Sequence, residues 1–566
     1  MAYAAPLADV AALLRGVGGA RLSETERFSE ATPETLDAVF AEAAKLAESI
    51  LAPLNAAGDR APARLENGAV RTPPGFAEGY AAIRDGGWCG LTADPAHGGT
   101  GLPQTAWTVV NEFFCGACLS LSIAPLLTNG AIETIEAHAD AALRDVYLPK
   151  LVSGAWTGVM CLTEPQAGTD VGAVRTLAER DGDGWALTGQ KIYISWGDHD
   201  CAENVAHLVL ARTPGAAAGS RGLSLFLVPK FVPDAAGEPG TRNAVRCIGL
   251  EHKMGLHGSP TCVMAYEGAQ AWLVGAEGRG LATMFTMMNN ARLGVGVQGI
   301  GVAEAATQAA VAYARERRQG RTPVGDGTGP IADHADVRRM LLTMRTRTLA
   351  ARAVALDCAM SLDMARAAPE AERAGWAARA AVLTPLAKSF GTDVGCEVAS
   401  LGIQVHGGMG YVEEIGVAQF LRDVRVTTIY EGTNGVQAMD LVGRKLADGG
   451  AAARALLAEA TEAARETADG PLAAEAQRLE AARAAVAGAT EWMLAAPPRD
   501  RAAGAVAYQR AFALVAAGRV LLLAAAAEAR LVPVVRVFLT RELAAVDALV
   551  AEACFGAEDL YAAELA

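Results

Sequence analysis

The stretch from about residue 156 to 275 does not repeat like the rest of the chain. It reads "WTGVMCLT", "WALTGQKIYIS", "HLVLART", "GLSLFLVPK" and "TCVMAYEG", short β-branched and aromatic runs joined by Gly, Asp and Pro. Such runs predict strands. With no long helical pattern between them, they predict an antiparallel sheet or barrel in place of βαβ units. On both sides the pattern is helical: runs such as "ETLDAVFAEAAKLAESIL" and "LATMFTMMNNARLGVGVQGIGVAEAATQAAVAYARERR" repeat apolar residues at three- and four-residue spacing.

The fold class that follows is mainly α with an inserted β domain. At 566 residues the chain is also too long for one core, since single cores stop growing near roughly 250–300 residues. The texture divides it into an N-terminal helical domain (1–155), a middle β domain (156–280), a helical bundle (281–446) and an Ala-rich C-terminal helical extension (447–566). In the first domain the glycine-rich "DPAHGGTGLP" separates two helices, and breaks interrupt the bundle near Gly320 to Gly329 and at "HGGMG".

Composition excludes some functions. A net charge of −14 opposes binding to nucleic acid, which needs clustered Lys and Arg to displace counterions. The extension carries 11 arginines and no lysine against 16 acidic residues, a net charge of −5 that opposes phosphate binding. Ten scattered cysteines form no disulfide framework and suggest a reducing compartment. Cys115 and Cys118 make a CxxC inside the apolar run "EFFCGACLSLSIAPLL", with no second pair to complete a zinc site, and read as core. The start lacks a positively charged region ahead of an apolar one, so the expectation is a cytoplasmic protein without a secretory signal. The greasiest late segment, "ALVAAGRVLLLAAAAEARLVPVVRVFL", is interrupted by Arg519, Glu528, Arg530 and Pro533, short of the roughly 20 apolar residues of a spanning helix, and no membrane span is expected.

"GVGVQG", Gly294 to Gly299, matches the dinucleotide pattern G-x-G-x-x-G, but that fingerprint needs a strand before it. Here helix precedes it, and small residues for close helix packing are the better reading. More informative are "MCLTEPQAGTDVG", with hydroxyls at Thr163 and Thr169, and "GQKIYISWGDHD", with Ser195 at a strand end. Two polar strand ends can hydrogen-bond the edge of a flat heteroaromatic ring while Tyr193 covers its face. Ordinary turn chemistry explains either alone. In "IYEGTNGVQ", Glu431 reads by itself as a solvated charge at a helix start, where acids are favoured.

Together, "CLTEPQAGTD", "GQKIYIS", "YARERR", "QVHGGMGY" and "YEGTNGVQ" occur in the order and spacing of the acyl-CoA dehydrogenases, which the chain resembles from about residue 80 to 446. The N-terminal "YAAPLAD" and the helical tail are similar to the family's long subfamily. The resemblance implies an FAD-dependent α,β-dehydrogenation of an acyl-CoA to a trans-2-enoyl-CoA, with electron-transfer flavoprotein as acceptor and a homodimer as assembly. Glu431 stands at the position of the base that removes the α-proton while flavin N5 takes the β-hydride. Leu162, Thr163, Tyr193 and Ser195 match positions at the flavin ring, and Thr169 one near cofactor and CoA. Arg317 matches an arginine on the FAD pyrophosphate, suited to a guanidinium's bidentate fit to phosphate. Gln404, Gly407 and Gly408 match a loop over the adenosine part of FAD, and Thr433 a further FAD contact. Asn289, Arg292 and Tyr430 fall at substrate positions.

Tyr193 and Ser195 replace a commoner Trp and Thr, and Gln319-Gly320 replace a Thr-Phe that shorter members place against FAD. Ala291 stands where some members carry the base and supplies no carboxylate to rival Glu431. His406 reads as structural. The subfamily implies a short acyl chain, a sulfur-containing one among the candidates. An acyl-CoA oxidase on the same fold and a non-catalytic DNA-binding damage-response flavoprotein are the alternative functions, the latter opposed by the acidic tail.

Overall fold

The computed structural model describes residues 3–324 and 327–565. They form two compact units, one of Met1–Ala44, Pro103–Gly116 and Arg292–Ala566, the other of Lys45–Leu102 and Ala117–Ala291.

The second unit is built on a seven-stranded sheet. Before it, the strands β1 (Arg64–Glu66) and β2 (Ala69–Arg71) form a hairpin inside the region read as wholly helical. The turn is Asn67-Gly68, both with positive φ (51° and 77°), a conformation that glycine adopts freely and asparagine tolerates. The sheet comprises β3 (Trp156–Cys161), β4 (Leu177–Asp181), β5 (Gly184–Ser195), β6 (Asn204–Arg212), β7 (Leu223–Pro229), β10 (Val245–Leu250) and β11 (Thr261–Val274). The short β8 (Phe231–Pro233) and β9 (Pro239–Arg242) pair with each other.

Pairing runs β11–β5–β4–β6 and returns through β7 to β11, which closes a barrel. The expectation of an antiparallel sheet needs correction at β6: β4 meets it in parallel at Leu177↔Arg212, and β3 lies parallel to β6 from Trp156↔Asn204 to Cys161↔Val209. The β4–β5 hairpin carries the chain across between them, doing without the crossover helix that parallel neighbours usually need. The core beneath includes Tyr147, Leu151, Trp156, Leu208, Leu225 and Met287.

In the first unit, long helices pack on one another: the part of Gly280–Glu316 from Arg292 onward, Ala335–Ala367, Glu370–His406 and Pro498–Ala527. The glycines of "GVGVQG" lie within a helix, as their spacing predicts. A Cβ on Gly299 would sit 2.2 Å from the Gly391 carbonyl oxygen, and one on Gly296 2.5 Å from that of Ala387, so the two backbones meet with no room for a side chain. The break near Gly320 is a small hairpin, β12 (Arg318–Arg321) with β13 (Thr328–Pro330).

The tail is helical and shares its unit with the bundle. The late apolar segment is not broken at Arg519, which lies inside the continuous Pro498–Ala527 helix. Its charge is met by Asp357 Oδ2 at 2.7 Å and Glu459 Oε2 at 3.2 Å, and Asp357 also binds Arg379 at 2.8 Å. Pro498–Ala527 and Gln104–His138 have the length and composition to cross a bilayer, but their apolar windows are 78% and 100% buried within the protein. Cys115 and Cys118 are buried thiols.

Candidate active site

Glu431 sits in the short link between the turn Arg425–Thr428 and the helix Asn434–Asp440. Thr433 begins that helix, its hydroxyl accepting the Val436 N–H at 3.3 Å. Glu431 and Gly432 both have positive φ (58° and 81°). For glycine this is free, but for glutamate it costs roughly 1 kcal/mol or more, and such strain gathers at functional sites.

What holds the turn is a set of buried polar groups. Lys388 Nζ donates to the Gly432 carbonyl at 2.9 Å and to Asn434 Oδ1 at 2.8 Å. Gln437, fully buried, donates from Nε2 to the Glu431 carbonyl at 3.1 Å. Tyr430 donates to Gln298 Oε1 at 2.5 Å. Glu431 Oε1 is buried with no hydrogen-bond partner among the described residues. Burial pushes the Glu431 carboxyl up to about 7, against the pull of Arg292 and Lys388. A carboxylate with an unpaired oxygen and an affinity for protons near neutrality has what a general base requires.

Arg292 lies here as well. It is buried, its Nη1 is 3.5 Å from Asp440 Oδ2, and Glu431 is the first of the anions that oppose the burial penalty on its charge. Asn289, which the resemblance puts at the CoA together with Arg292, is exposed, whereas the adjacent Asn290 is buried and donates to Glu133 Oε2 at 2.9 Å. The structure thus gives Arg292 a place in the field of the candidate base, a role its match to a CoA position did not suggest.

In the second unit the flavin-edge candidates come together. Thr163 accepts the Ile192 N–H at 2.9 Å through its carbonyl, which sets Leu162 and Thr163 beside Tyr193 and Ser195. A bulge against Cys262–Met264 puts an extra residue into β5 there, and Tyr193 takes φ 60° and is 61% exposed. Beneath them Lys191 Nζ binds Glu164 Oε1 at 2.8 Å and the Leu162 carbonyl at 2.9 Å. Glu164 also accepts from the Arg175 and Thr176 N–H groups. Burial works to raise Glu164, but Lys191 and these donors hold it down at about 2. This pair braces both ends of the loop that carries exposed Thr169. Neither Thr163 nor Ser195 spends its hydroxyl on an intramolecular bond among the described residues.

In the first unit Arg317 follows the Gly280–Glu316 helix and is exposed, as are Gln404, Gly407 and Gly408 at the end of Glu370–His406. The two ends are joined by Tyr313 stacked on His406, ring centroids 4.3 Å apart, so His406 has a structural part. Gly407 and Gly408 face open space where a Cβ would be. Sequence reasoning missed Lys388, Asn434, Gln437, Glu164 and Lys191. The signal for Lys388 was a lone cation in the apolar run "TPLAKSFGTD"; for Glu164 and Lys191 it was one charge in each of two paired motifs.

An inserted barrel, helical segments before and after it in the chain, and a buried glutamate of raised proton affinity define a flavin-dependent oxidoreductase of the acyl-CoA dehydrogenase type. Residues 33–155, 159–269 and 278–447 match the N-terminal, middle and C-terminal domains of acyl-CoA dehydrogenase. Over 509 residues the chain is 45% identical to the 3-methylmercaptopropionyl-CoA dehydrogenase of Ruegeria pomeroyi, covering 88% of this chain and 86% of that one. The butyryl-CoA dehydrogenase structure from Megasphaera elsdenii is 26% identical, with a TM-score of 0.61 over 73% of this chain and 98% of that one. The Bacillus anthracis acyl-CoA dehydrogenase complexed with FAD shares the fold at 23% identity, with a TM-score of 0.70 over 87% and 84% of the two chains. The chain belongs to the acyl-CoA dehydrogenase family, and it is an FAD-dependent oxidoreductase. Its residues suit FAD: unspent hydroxyls at Thr163 and Ser195 offer hydrogen bonds to a ring edge, exposed Arg317 suits a pyrophosphate, and Gly407-Gly408 leave backbone open to approach.

Proposed function

We propose that the chain dehydrogenates a short acyl-CoA between C2 and C3, 3-methylmercaptopropionyl-CoA being the foremost candidate, with Glu431 removing the α-proton. The observation that carries the role of Glu431 is its buried, unpaired carboxylate oxygen. The similarity to the Ruegeria pomeroyi enzyme supports the acyl group.

The α-hydrogen of a thioester is weakly acidic, so the base must be dry and close. Glu431 meets the first need through burial, and its strained backbone aims it. As the proton leaves, charge grows on the thioester oxygen, and the Glu431 N–H is the donor proposed to meet it. Thr163 and Ser195 hold the ring edge, Tyr193 covers its face, and Arg317, Gln404, Gly407, Gly408 and Thr433 hold the rest of the cofactor. Thr169, Asn289, Arg292 and Tyr430 line the substrate's path. Bound FAD supplies the acceptor for the β-hydrogen, which leaves as hydride. A homodimer is the proposed assembly, symmetric association being the common case. Electron-transfer flavoprotein is the proposed partner and the cytoplasm the proposed location.

Anaerobic titration with a panel of acyl-CoAs, followed by flavin absorbance, tests the reading. The expected result is bleaching by 3-methylmercaptopropionyl-CoA with release of a 2-enoyl product, and none by Glu431→Gln with FAD still bound. Full bleaching of that variant would remove Glu431 from the role. Peroxide release during aerobic turnover would make oxygen the acceptor.

A further inference from the structure

We propose that Lys388 is the positioning residue for Glu431: its buried ammonium ties down the turn that carries the carboxylate and, beside Arg292, lowers the cost of ionising it. This rests on reading Glu431 as the base.

The geometry is that of one helix face gripping one turn. Within Glu370–His406, Lys388, Ser389, Thr392 and Asp393 fall on successive turns of the same face. All four bind residues 432–434. Lys388 holds the Gly432 carbonyl and Asn434 Oδ1, while Asn434 Nδ2 donates to Asp393 Oδ1 at 2.7 Å and to Thr392 Oγ1 at 3.0 Å, and reaches the Ser389 carbonyl at 3.4 Å. Asn434 is thereby fixed on one side of Glu431-Gly432, and the Gly432 carbonyl is pulled toward the helix.

A neutral amide could make the same two bonds without the several kcal/mol it costs to bury an ammonium. The chain nevertheless places a lysine there, at 0% exposure. A buried cation next to a buried carboxylate of raised proton affinity makes sense as tuning: it lowers the cost of ionising Glu431. The charged and titratable groups facing Lys388 are Glu431 from the turn, Arg292 from the Gly280–Glu316 helix, and Asp393 and Cys396 from its own helix. Burial lowers Lys388 to about 8, with Glu431 the first of the anions opposing the fall and Asp393 the second, so it remains mostly protonated at neutral pH. Arg292 is the larger of the two cationic influences on Glu431, but part of its charge is taken up by Asp440, whereas Lys388 also grips the turn itself.

The test uses the FAD-loaded enzyme and its Lys388→Met, Lys388→Gln and Lys388→Arg variants. Anaerobic flavin reduction by 3-methylmercaptopropionyl-CoA and by butyryl-CoA is measured across pH 5.5 to 9, with FAD content and melting temperature recorded beside it. Removing the positive charge raises the proton affinity of Glu431. The expected result for Met and Gln is a reduction profile displaced to higher pH by about one unit or more, hence about tenfold slower reduction near pH 6 that recovers toward pH 9. Arg restores the wild-type midpoint. A midpoint unchanged in both Met and Gln variants overturns the proposal whatever the rate, as does a loss equal at every pH that Arg fails to restore. Should the Met variant not retain FAD, Gln, which keeps a donor without the charge, decides by the same midpoint. Glu431→Gln runs as the control: if it still bleaches, the base assignment itself falls, a failure distinct from an unmoved midpoint in the lysine variants.

Discussion

Replacing Glu431 by glutamine is expected to stabilise the protein at alkaline pH while destroying its chemistry. Burial raises the carboxyl to about 7 from an ordinary 4.5. A folded-state value above the unfolded one means that ionisation favours the unfolded chain, so the penalty is absent below about pH 4.5, grows from there to about pH 7, and is then constant. At 1.36 kcal/mol per pH unit the plateau is about 3 kcal/mol. Glutamine has the same shape and no charge to lose, so it escapes the penalty. For 566 residues at roughly 2.1 cal/mol/K each the unfolding entropy is about 1.2 kcal/mol/K, and the variant should melt about 2–3 °C higher at pH 8. At pH 4.5 the two proteins should melt within a degree of each other. Scanning calorimetry or intrinsic fluorescence at matched FAD saturation, from pH 4.5 to 8.5, reads the difference. A gap independent of pH, or a glutamine variant less stable at pH 8, would refute the argument that burial holds this carboxyl protonated to neutrality.

Gly299→Val should destabilise the helix bundle by about 3 kcal/mol or more, because its Cβ would meet backbone, the Gly391 carbonyl at 2.2 Å, and not a side chain that can turn away; urea melts read this, and a loss below about 1 kcal/mol would show that the crossing gives way. Arg352, fully buried, binds Glu112 Oε1 at 2.6 Å and Glu304 Oε2 at 2.7 Å. Arg352→Met leaves two buried acids facing each other and should cost about 3–5 kcal/mol at pH 8, and less at pH 5, where burial already raises Glu112 toward protonation. A loss that does not shrink on acidification would count against the two glutamates as its source.

The architecture is largely written in local pattern. Short β-branched and aromatic runs bounded by Gly, Asp and Pro mark β3, β5, β6, β7 and β11, and helical spacing marks the long helices, because these are local signals that every segment carries with it. The Asn67-Gly68 turn carries its own local signal, but the helical texture around it leads the sequence reading to miss the hairpin. The parallel pairing of β3 with β6 is not legible: which edge accepts a strand depends on where the rest of the chain has gone. Arg519 looks like a break in the sequence for the same reason, since its partner Asp357 lies 162 residues earlier.

The candidate site divides along the same line. Motif order along the chain brings out Thr163, Tyr193, Ser195 and Glu431, and the family with them. Read singly, though, Glu431 is a solvated charge at a helix start. Its raised proton affinity, its left-handed backbone and its clamp by Lys388, Asn434 and Gln437 exist only once helices distant in sequence enclose it. Sequence determines which chemical groups are present and what local conformations they favour. Desolvation, the field of neighbouring charges and the fate of an unpaired oxygen are properties of the enclosure, and only the tertiary structure decides them.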